Sequence, residues 1–480
     1  MTATVSELLA EIERAPQGPQ VGAFFDFDGT LIAGYSAQVF YEDRIRRFEM
    51  GPGEIARSLI AGAGMALNGA DVSKLMEVAV ANWAGHREDE VRELWDGLFY
   101  KRISGMVYPE ARELVKAHLR AGHTVAVASS ATRYQLAALA EDLGVTNVLC
   151  SEVELVKGFF SGYVVGPVLW GPAKARAVQE FADEHRVDLQ RSFAYANGDE
   201  DVPFLEAVGN PRALNPGSGM RKAAREHNWP AVELAGRGRT GIADIVRTGV
   251  ALAGLGAAGG VGIAYGLLTG DRRTGANLAA SIGPDLALAL AGVHLNVTGE
   301  EHLWSDRPAV FIFNHQSSID VAVIGSLVRR DLTGVAKIEA RRDPRFAPIG
   351  YVTDIVYVDR SNSKQARAAL QPAVDRLKSG TSIAIAPEGT RSPTPTLGRF
   401  KKGAFHLAMQ AGVPLVPVVI RNAGDVMWRG SLVIRPGTID VAVQPPISTE
   451  AWEVEQLDER IAEVHGLFER TLEEWTLTKL

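Results

Sequence analysis

Val21-Gly-Ala-Phe-Phe25 is a short apolar run that breaks off at Asp26-Phe27-Asp28-Gly29-Thr30-Leu31. Such a run, bounded so sharply, predicts a buried strand of an α/β sheet. Asp26 then stands at its carboxyl end, where open sheets of this kind bind ligands. A carboxylate there can attack phosphorus and carry an aspartyl-phosphate. Asp28, two residues on, can lie on the same side, protonate the leaving oxygen and then activate water. Gly29 permits the tight turn that brings both to a substrate. A bare Asp-x-Asp is explained as well by a capped turn; the strand before it and Gly-Thr-Leu after it make the signal specific.

Working outward, residues 35–105 carry apolar positions at helical spacing and read as a helical cap inserted after the first strand. Beyond Pro109 the pattern becomes helix 111–121, strand 124–128, helix 133–143 and, later, strand 192–196. Strands alternating with helices predict a parallel, Rossmann-like sheet. The second strand ends at Ser129-Ser130, whose hydroxyl and N–H groups can hold a phosphoryl oxygen. Lys174, at a helix start in Gly171-Pro-Ala-Lys, can neutralise phosphoryl charge. By itself it would be an ordinary solvated lysine. Asn197-Gly-Asp-Glu-Asp201 forms an acidic loop after a strand, and its oxygens suit Mg²⁺.

These motifs resemble the haloacid-dehalogenase superfamily, in its phosphoserine-phosphatase-like branch, over residues 18–235. The resemblance implies Asp26 as nucleophile, Asp28 as acid/base, and Ser129 and Lys174 as phosphate ligands. It also implies Mg²⁺ held by Asp26, the Asp28 carbonyl and the acidic loop through Asn197 and Asp201. In one respect the chain departs from the family: Asn197 stands where the first loop carboxylate belongs. Asp199 could replace it if the loop shifted, and losing a carboxylate should weaken the metal.

Residues 236–298 differ in composition. From 248 to 270 there is no charged residue, and Ala, Gly, Leu and Val dominate. A second apolar stretch, 274–293, contains Pro284-Asp285, and a charge at bilayer centre costs about 2.5–3.5 kcal/mol. One crossing would also put the two flanking domains on opposite sides of a membrane. A Gly/Ala-rich helical hairpin dipping into one leaflet is the favoured reading; two paired spans, or a buried hairpin of a soluble protein, stay open.

The α/β alternation resumes with strands 309–313, 381–386 and 415–420, and the chain closes with an amphipathic helix, 449–477. Asn314-His315-Gln-Ser-Ser-Ile-Asp320 runs from strand to helix, so that Asp320 can fold back on the imidazole and fix its tautomer. A neutral His315 could then take the proton of an alcohol attacking a thioester. Ala386-Pro-Glu388-Gly389-Thr390-Arg391-Ser follows another strand, and Arg391 can grip a phosphate bidentately. Lys337 and Arg360 lie between the two blocks; singly, each cation would be a solvated surface charge.

Together with Gly350 and Val413-Pro-Leu-Val-Pro417, these blocks resemble the lysophosphatidic acid acyltransferases, over residues 310–420. The resemblance implies acyl transfer from acyl-CoA or acyl carrier protein to a lysophospholipid. It implies His315 and Asp320 as the catalytic pair and Arg360, Glu388, Gly389, Thr390 and Arg391 as acceptor ligands, with Lys337 a weaker candidate. The acyltransferase domain is expected over 299–480.

Composition sets the frame for both halves. A chain of 480 residues, 46% hydrophobic and 22% charged, is globular and long enough for two or three domains. A net charge of −7 with no basic tail argues against a nucleic-acid partner. A single cysteine, Cys150, excludes a disulfide framework. The first residues lack the pattern of a signal peptide, and the cytoplasmic face of the cell membrane is the expected location. The functional expectation is a bifunctional phospholipid-biosynthesis enzyme. Alternatives are an acyltransferase carrying an inactive phosphatase-like scaffold, or a phosphoserine-type phosphatase tethered to it. A homodimer is left open.

Overall fold

A computed structural model describes residues 3–47, 72–237, 240–337, 355–358 and 370–475. The chain divides into two compact units, Met1–Gly238 and Arg239–Leu480.

The first unit is built on a sheet of seven strands among the described residues: β1 Gly22–Phe25, β2 Thr124–Thr132, β3 Asn147–Val156, β4 Phe159–Val165, β5 Phe193–Ala196, β6 Asn210–Leu214 and β7 Ala231–Val232. Their order is β4-β3-β2-β1-β5-β6-β7. All neighbours are parallel except β3 and β4. β1 is buried throughout, with β2 on one side and β5 on the other, so the strand order reverses at its end. That reversal opens the crevice in which Asp26 stands. Phe25 stacks on Tyr195 of β5 with ring centroids 4.5 Å apart. The Tyr195 hydroxyl lies 2.8 Å from His118 Nε2, and His118 Nδ1 lies 2.8 Å from His123 Nδ1, so these buried polar groups satisfy one another.

The expected cap is seen as helices Ser36–Arg46, Val72–Ala81 and Glu88–Lys101, with residues 48–71 outside the described part. β2 runs four residues beyond its expected end, so Ser129 and Ser130 lie within the strand rather than after it. The β3–β4 hairpin goes beyond the sequence expectation. Lys157 and Gly158, at φ 53° and 82°, form its two-residue turn, the left-handed pair that such hairpins need.

In the second unit the described strands are β8 Val293–Thr298, β9 Val310–Phe313, β10 Leu332–Lys337, β11 Val356–Val358, β12 Ser382–Ile385, β13 Leu415–Ile420 and β14 Gly437–Val443. They run in the order β11-β10-β12-β9-β13-β14-β8, antiparallel only between β13 and β14. Here β9 occupies the reversal point, and Asn314-His315 follow it. The C-terminal helix spans Leu457–Glu474 and starts later than its periodicity suggested. Leu415, at the start of β13, forms an isolated antiparallel bridge with Ile447, and the Thr449 hydroxyl donates to the Val413 carbonyl at 3.0 Å, which holds this stretch extended.

Helices Ile242–Thr269 and Arg272–Ala291 form a hairpin that turns at Gly270-Asp271. Gly254, Gly262, Gly266, Gly275 and Gly283 lie where the two helices touch. A Cβ on Gly275 would come 2.4 Å from the Gly262 carbonyl, and one on Gly254 would come 2.5 Å from Leu290. Close approach of backbones thus explains the small residues that dilute the hydropathy. Only the first helix, among the described residues, is long and apolar enough to cross a membrane. Its outward face is bare: Ile242, Leu267 and Leu268 are 82%, 80% and 85% exposed.

The second helix is fastened to the body of its unit along one polar edge. Arg273 and Asn277 bind Asp331 at 2.7 and 3.1 Å, the Ser281 hydroxyl donates to the Arg329 carbonyl at 3.3 Å, and Asp285 pairs with Arg329 at 3.1 Å and with Ser326. The four residues recur every fourth position, one helical face. Asp285 therefore has protein partners, and its charge needs no lipid-facing position. Pro284 packs on the next helix, Asp320–Val328, where a Cβ on Gly325 would meet it at 2.9 Å.

Candidate active sites

In the first unit Asp26 is 6% exposed, its N–H bonded to the Tyr195 carbonyl at 2.9 Å. Its Oδ1 lies 2.8 Å from Lys174 Nζ, and its Oδ2 accepts the Thr30 hydroxyl at 3.0 Å. Lys174, at the start of helix Pro172–His185, also reaches Asp201 Oδ1 at 2.7 Å. Burial works against its charge, but Asp201 and Asp26 outweigh burial and raise its pKa. Asp201 itself is pushed up to about 7 by burial, with Lys174 opposing.

Asp28 accepts the Ser36 N–H at 2.7 Å and the Ser36 hydroxyl at 3.1 Å. Burial, helped by the charge of Asp26, raises its carboxyl to about 7, the range in which an acid/base is most effective. Gly29 has φ +81°, and a Cβ there would sit 2.1 Å from the Asn197 amide, so only glycine fits. Asn197 Oδ1 lies 3.1 Å from the Thr30 hydroxyl, within the same cluster. Ser129 is buried, its oxygen accepting the Ala131 N–H at 3.1 Å. Asp199 is committed elsewhere: it accepts the Met220 N–H at 2.6 Å, at the start of helix Ser218–Glu226.

In the second unit, Asn314 continues the sheet beyond β9. Its amide donates to the Ile420 carbonyl and accepts the Ile420 N–H, both at 2.7 Å. His315 follows, its side chain one-fifth exposed. Asp320 is fully buried, and its Oδ2 accepts the N–H groups of Gln316 and Ser317 and faces His315 Nδ1, each at 2.8 Å. An oxygen already accepting two hydrogen bonds makes Nδ1 the donor, which leaves Nε2 as the basic nitrogen.

The second motif loop is stitched to the first. Glu388 Oε1 accepts the His315 N–H at 2.7 Å and Oε2 the Gly398 N–H at 2.8 Å. Burial raises its carboxyl to about 7. Gly389 turns the loop at φ +75°, the Ser392 N–H donates to the His315 carbonyl at 2.7 Å, and Arg391 Nη1 donates to Ser318 Oγ at 2.5 Å. Thr390 is exposed at the loop tip. Lys337 ends β10, where its backbone pairs with Val358; its side chain, Gly350 and Arg360 lie outside the described residues.

Residues 23–206 match the haloacid dehalogenase-like hydrolases, and residues 294–421 match the acyltransferases. The chain belongs to both families, as a fusion. Its hydrolase half is 36% identical over 212 residues to phosphoserine phosphatase SerB1 of Mycobacterium tuberculosis, covering 43% of this chain and 68% of the relative. Its acyltransferase half is 32% identical over 197 residues to a 1-acyl-sn-glycerol-3-phosphate acyltransferase of Limnanthes alba, covering 41% and 69%. The solved 1-acyl-sn-glycerophosphate acyltransferase of Thermotoga maritima is similar at 24% identity with a TM-score of 0.41, covering 50% of this chain and 99% of that one.

Both families are enzymatic. Haloacid dehalogenase-like phosphatases are generally Mg²⁺-dependent. In the hydrolase half, Asp26, Asn197 and Asp201 supply oxygen donors of the kind Mg²⁺ takes, with both carboxylates facing Lys174. The set fits the ion, with an amide in place of one carboxylate. Three supporting residues escaped the sequence reading: Thr30 and Ser36 in the hydrolase half and Ser318 in the acyltransferase half. A serine at the start of a helical stretch was the one available signal for Ser36.

Proposed function

We propose that the acyltransferase half acylates the free hydroxyl of a 1-acylglycerol 3-phosphate from an acyl-CoA or acyl carrier protein thioester. The carrying observation is the 2.8 Å contact of His315 Nδ1 with Asp320, which leaves Nε2 to take the acceptor's proton. The alkoxide oxygen then adds to the thioester carbonyl, the C–S bond breaks, and His315 returns the proton to the departing thiolate. Arg391 holds the acceptor phosphate. Glu388 serves differently from the expectation that it binds the acceptor: both its oxygens hold backbone N–H groups, so it fixes the His315 loop. The printed name of the Limnanthes relative supports the choice of acceptor.

The hydrolase half, in this reading, cleaves a phosphomonoester. Asp26 attacks phosphorus while Asp28 gives its proton to the leaving alcohol. Asp28 then takes a proton from water, which attacks the aspartyl-phosphate and frees Asp26. Lys174 and Ser129 hold phosphoryl oxygens, and Mg²⁺ bound by Asp26, Asn197 and Asp201 would neutralise phosphoryl charge. Phosphoserine is one candidate substrate, supported by the name of the SerB1 relative. Phosphatidate, itself a phosphomonoester and the product of the other half, is the second.

The exposed apolar face of helix Ile242–Thr269 supports attachment to a membrane; in this reading both halves lie at its cytoplasmic face. The test is one reaction: purified protein on phospholipid vesicles with Mg²⁺, acyl-CoA and lysophosphatidate, following phosphatidate, diacylglycerol and free phosphate. Replacing acyl-CoA by acyl carrier protein identifies the donor. No phosphatidate from either donor would refute the acyltransferase reading.

A further inference from the structure

We propose that Ser318 is a positioning residue of the acyltransferase half, holding the Arg391 guanidinium in the orientation that receives the acceptor's phosphate monoester. The proposal rests on the reading of Arg391 given above. Four residues separate His315 from Asp320, and three of them are occupied in building the loop. Gln316 and Ser317 give their N–H groups to Asp320, the Ser317 hydroxyl donates to the Met427 carbonyl at 2.5 Å, and Ile319 is buried with its N–H on Ser317 Oγ at 3.3 Å. Ser318 sends its side chain to the arginine of the other motif loop, where Oγ accepts from Arg391 Nη1 at 2.5 Å; the Gln316 amide reaches the same loop further on, donating to the Pro395 carbonyl at 3.2 Å.

The arginine is thereby tied to the His315 loop twice. Its neighbour Ser392 donates its N–H to the His315 carbonyl at 2.7 Å, which fixes the backbone, and Ser318 fixes the far end of the side chain. A long arginine side chain loses much rotamer freedom when it grips a ligand; holding it beforehand removes part of that cost from binding. The contact also sets distance. Ser318 is two residues from Asp320, so the phosphate-gripping group is indexed to the catalytic pair rather than to its own loop alone. Ser318 touches neither the proton in flight nor the thioester, so its effect belongs in acceptor affinity and not in turnover.

The experiment compares full-length wild type, Ser318→Ala, Ser318→Thr, Arg391→Ala and the Ser318→Ala/Arg391→Ala double variant on vesicles. It measures kcat, both KM values, and competition by inorganic phosphate against the acceptor. Ser318→Ala is expected to raise the acceptor KM and the phosphate Ki together, on the order of tenfold, with kcat and donor KM within about twofold. Ser318→Thr, which keeps the hydroxyl, should restore most of the affinity. The double variant should be little worse than Arg391→Ala, because the two act as a unit. An unchanged acceptor KM in Ser318→Ala, with a raised one in Arg391→Ala, would overturn the positioning role and leave the Arg391 reading intact. Additive effects, or kcat and both KM values moving alike, would overturn it too. An Arg391→Ala protein with normal acceptor KM would remove the underlying reading as well.

Discussion

Asp320 Oδ2 sits 2.8 Å from His315 Nδ1 while it also accepts the N–H groups of Gln316 and Ser317. The carboxylate therefore shapes the loop and sets the imidazole tautomer with one atom. His315→Ala is expected to cut acyl transfer by on the order of 10²–10⁴. Phosphate release by the hydrolase half should be unchanged in the same protein. A variant that still acylates lysophosphatidate at the wild-type rate would disprove the role of His315 as base.

Glu388 gives the acyltransferase half a pH signature. Its carboxyl titrates near 7 when folded, above its ordinary value, because of burial. The folded state thus holds a proton that the unfolded state has lost, and stability should fall as pH rises from about 5 to about 7. In Glu388→Gln that part of the slope should vanish. The amide can accept from only one of the two N–H groups and would turn its NH₂ toward the other, so acyl transfer should also fall by on the order of tenfold. Thermal midpoints of both proteins across this pH range provide the check; identical slopes would rule out Glu388 as the titrating group.

The amide at Asn197 sets an expectation for metal binding. Each carboxylate counts heavily for Mg²⁺, so the wild type should need high Mg²⁺ for phosphate release. Asn197→Asp should lower the half-saturating concentration, and Asp26→Asn should abolish release. Asp199, held at Met220, is not placed to compensate. Saturation of the wild type at low Mg²⁺, with no gain in Asn197→Asp, would contradict this account.

The hairpin separates two kinds of substitution. Leu267→Lys with Leu268→Lys changes exposed residues and should reduce flotation with vesicles while the thermal midpoint holds. Gly275→Leu would drive a side chain into the Gly262 carbonyl, costing about 1–3 kcal/mol of stability. Undiminished flotation of the double lysine variant would show that the anchor lies elsewhere.

What the sequence made legible was the chemistry carried by contiguous residues. Asp26-x-Asp28 and His315-x₄-Asp320 announce themselves because strand, turn and reactive groups follow one another. What stayed hidden runs through backbone or across distance. Glu388 reads as a ligand from its motif, yet its partners are two N–H groups, one of them 73 residues away. Ser36 and Ser318 are ordinary serines until folding brings each to its partner. Glu152 and Glu154 on β3 masked a hairpin that turns at Lys157-Gly158. Among the glycines of 248–270, Gly254, Gly262 and Gly266 sit where the two helices touch, a role that composition alone does not reveal.

The polar edge Arg273-Asn277-Ser281-Asp285 has a mechanical consequence. It clamps the hairpin to residues 326–331, which close the helix Asp320–Val328. That helix is nine residues long, about 13 Å, and its first residue is the carboxylate that steers His315. Pro284 wedged against Gly325 leaves no slack between the two helices. The helix thus carries the hairpin's clamp at one end and the imidazole's partner at the other. A tilt of the hairpin would thus meet a single unbroken helix ending at Asp320.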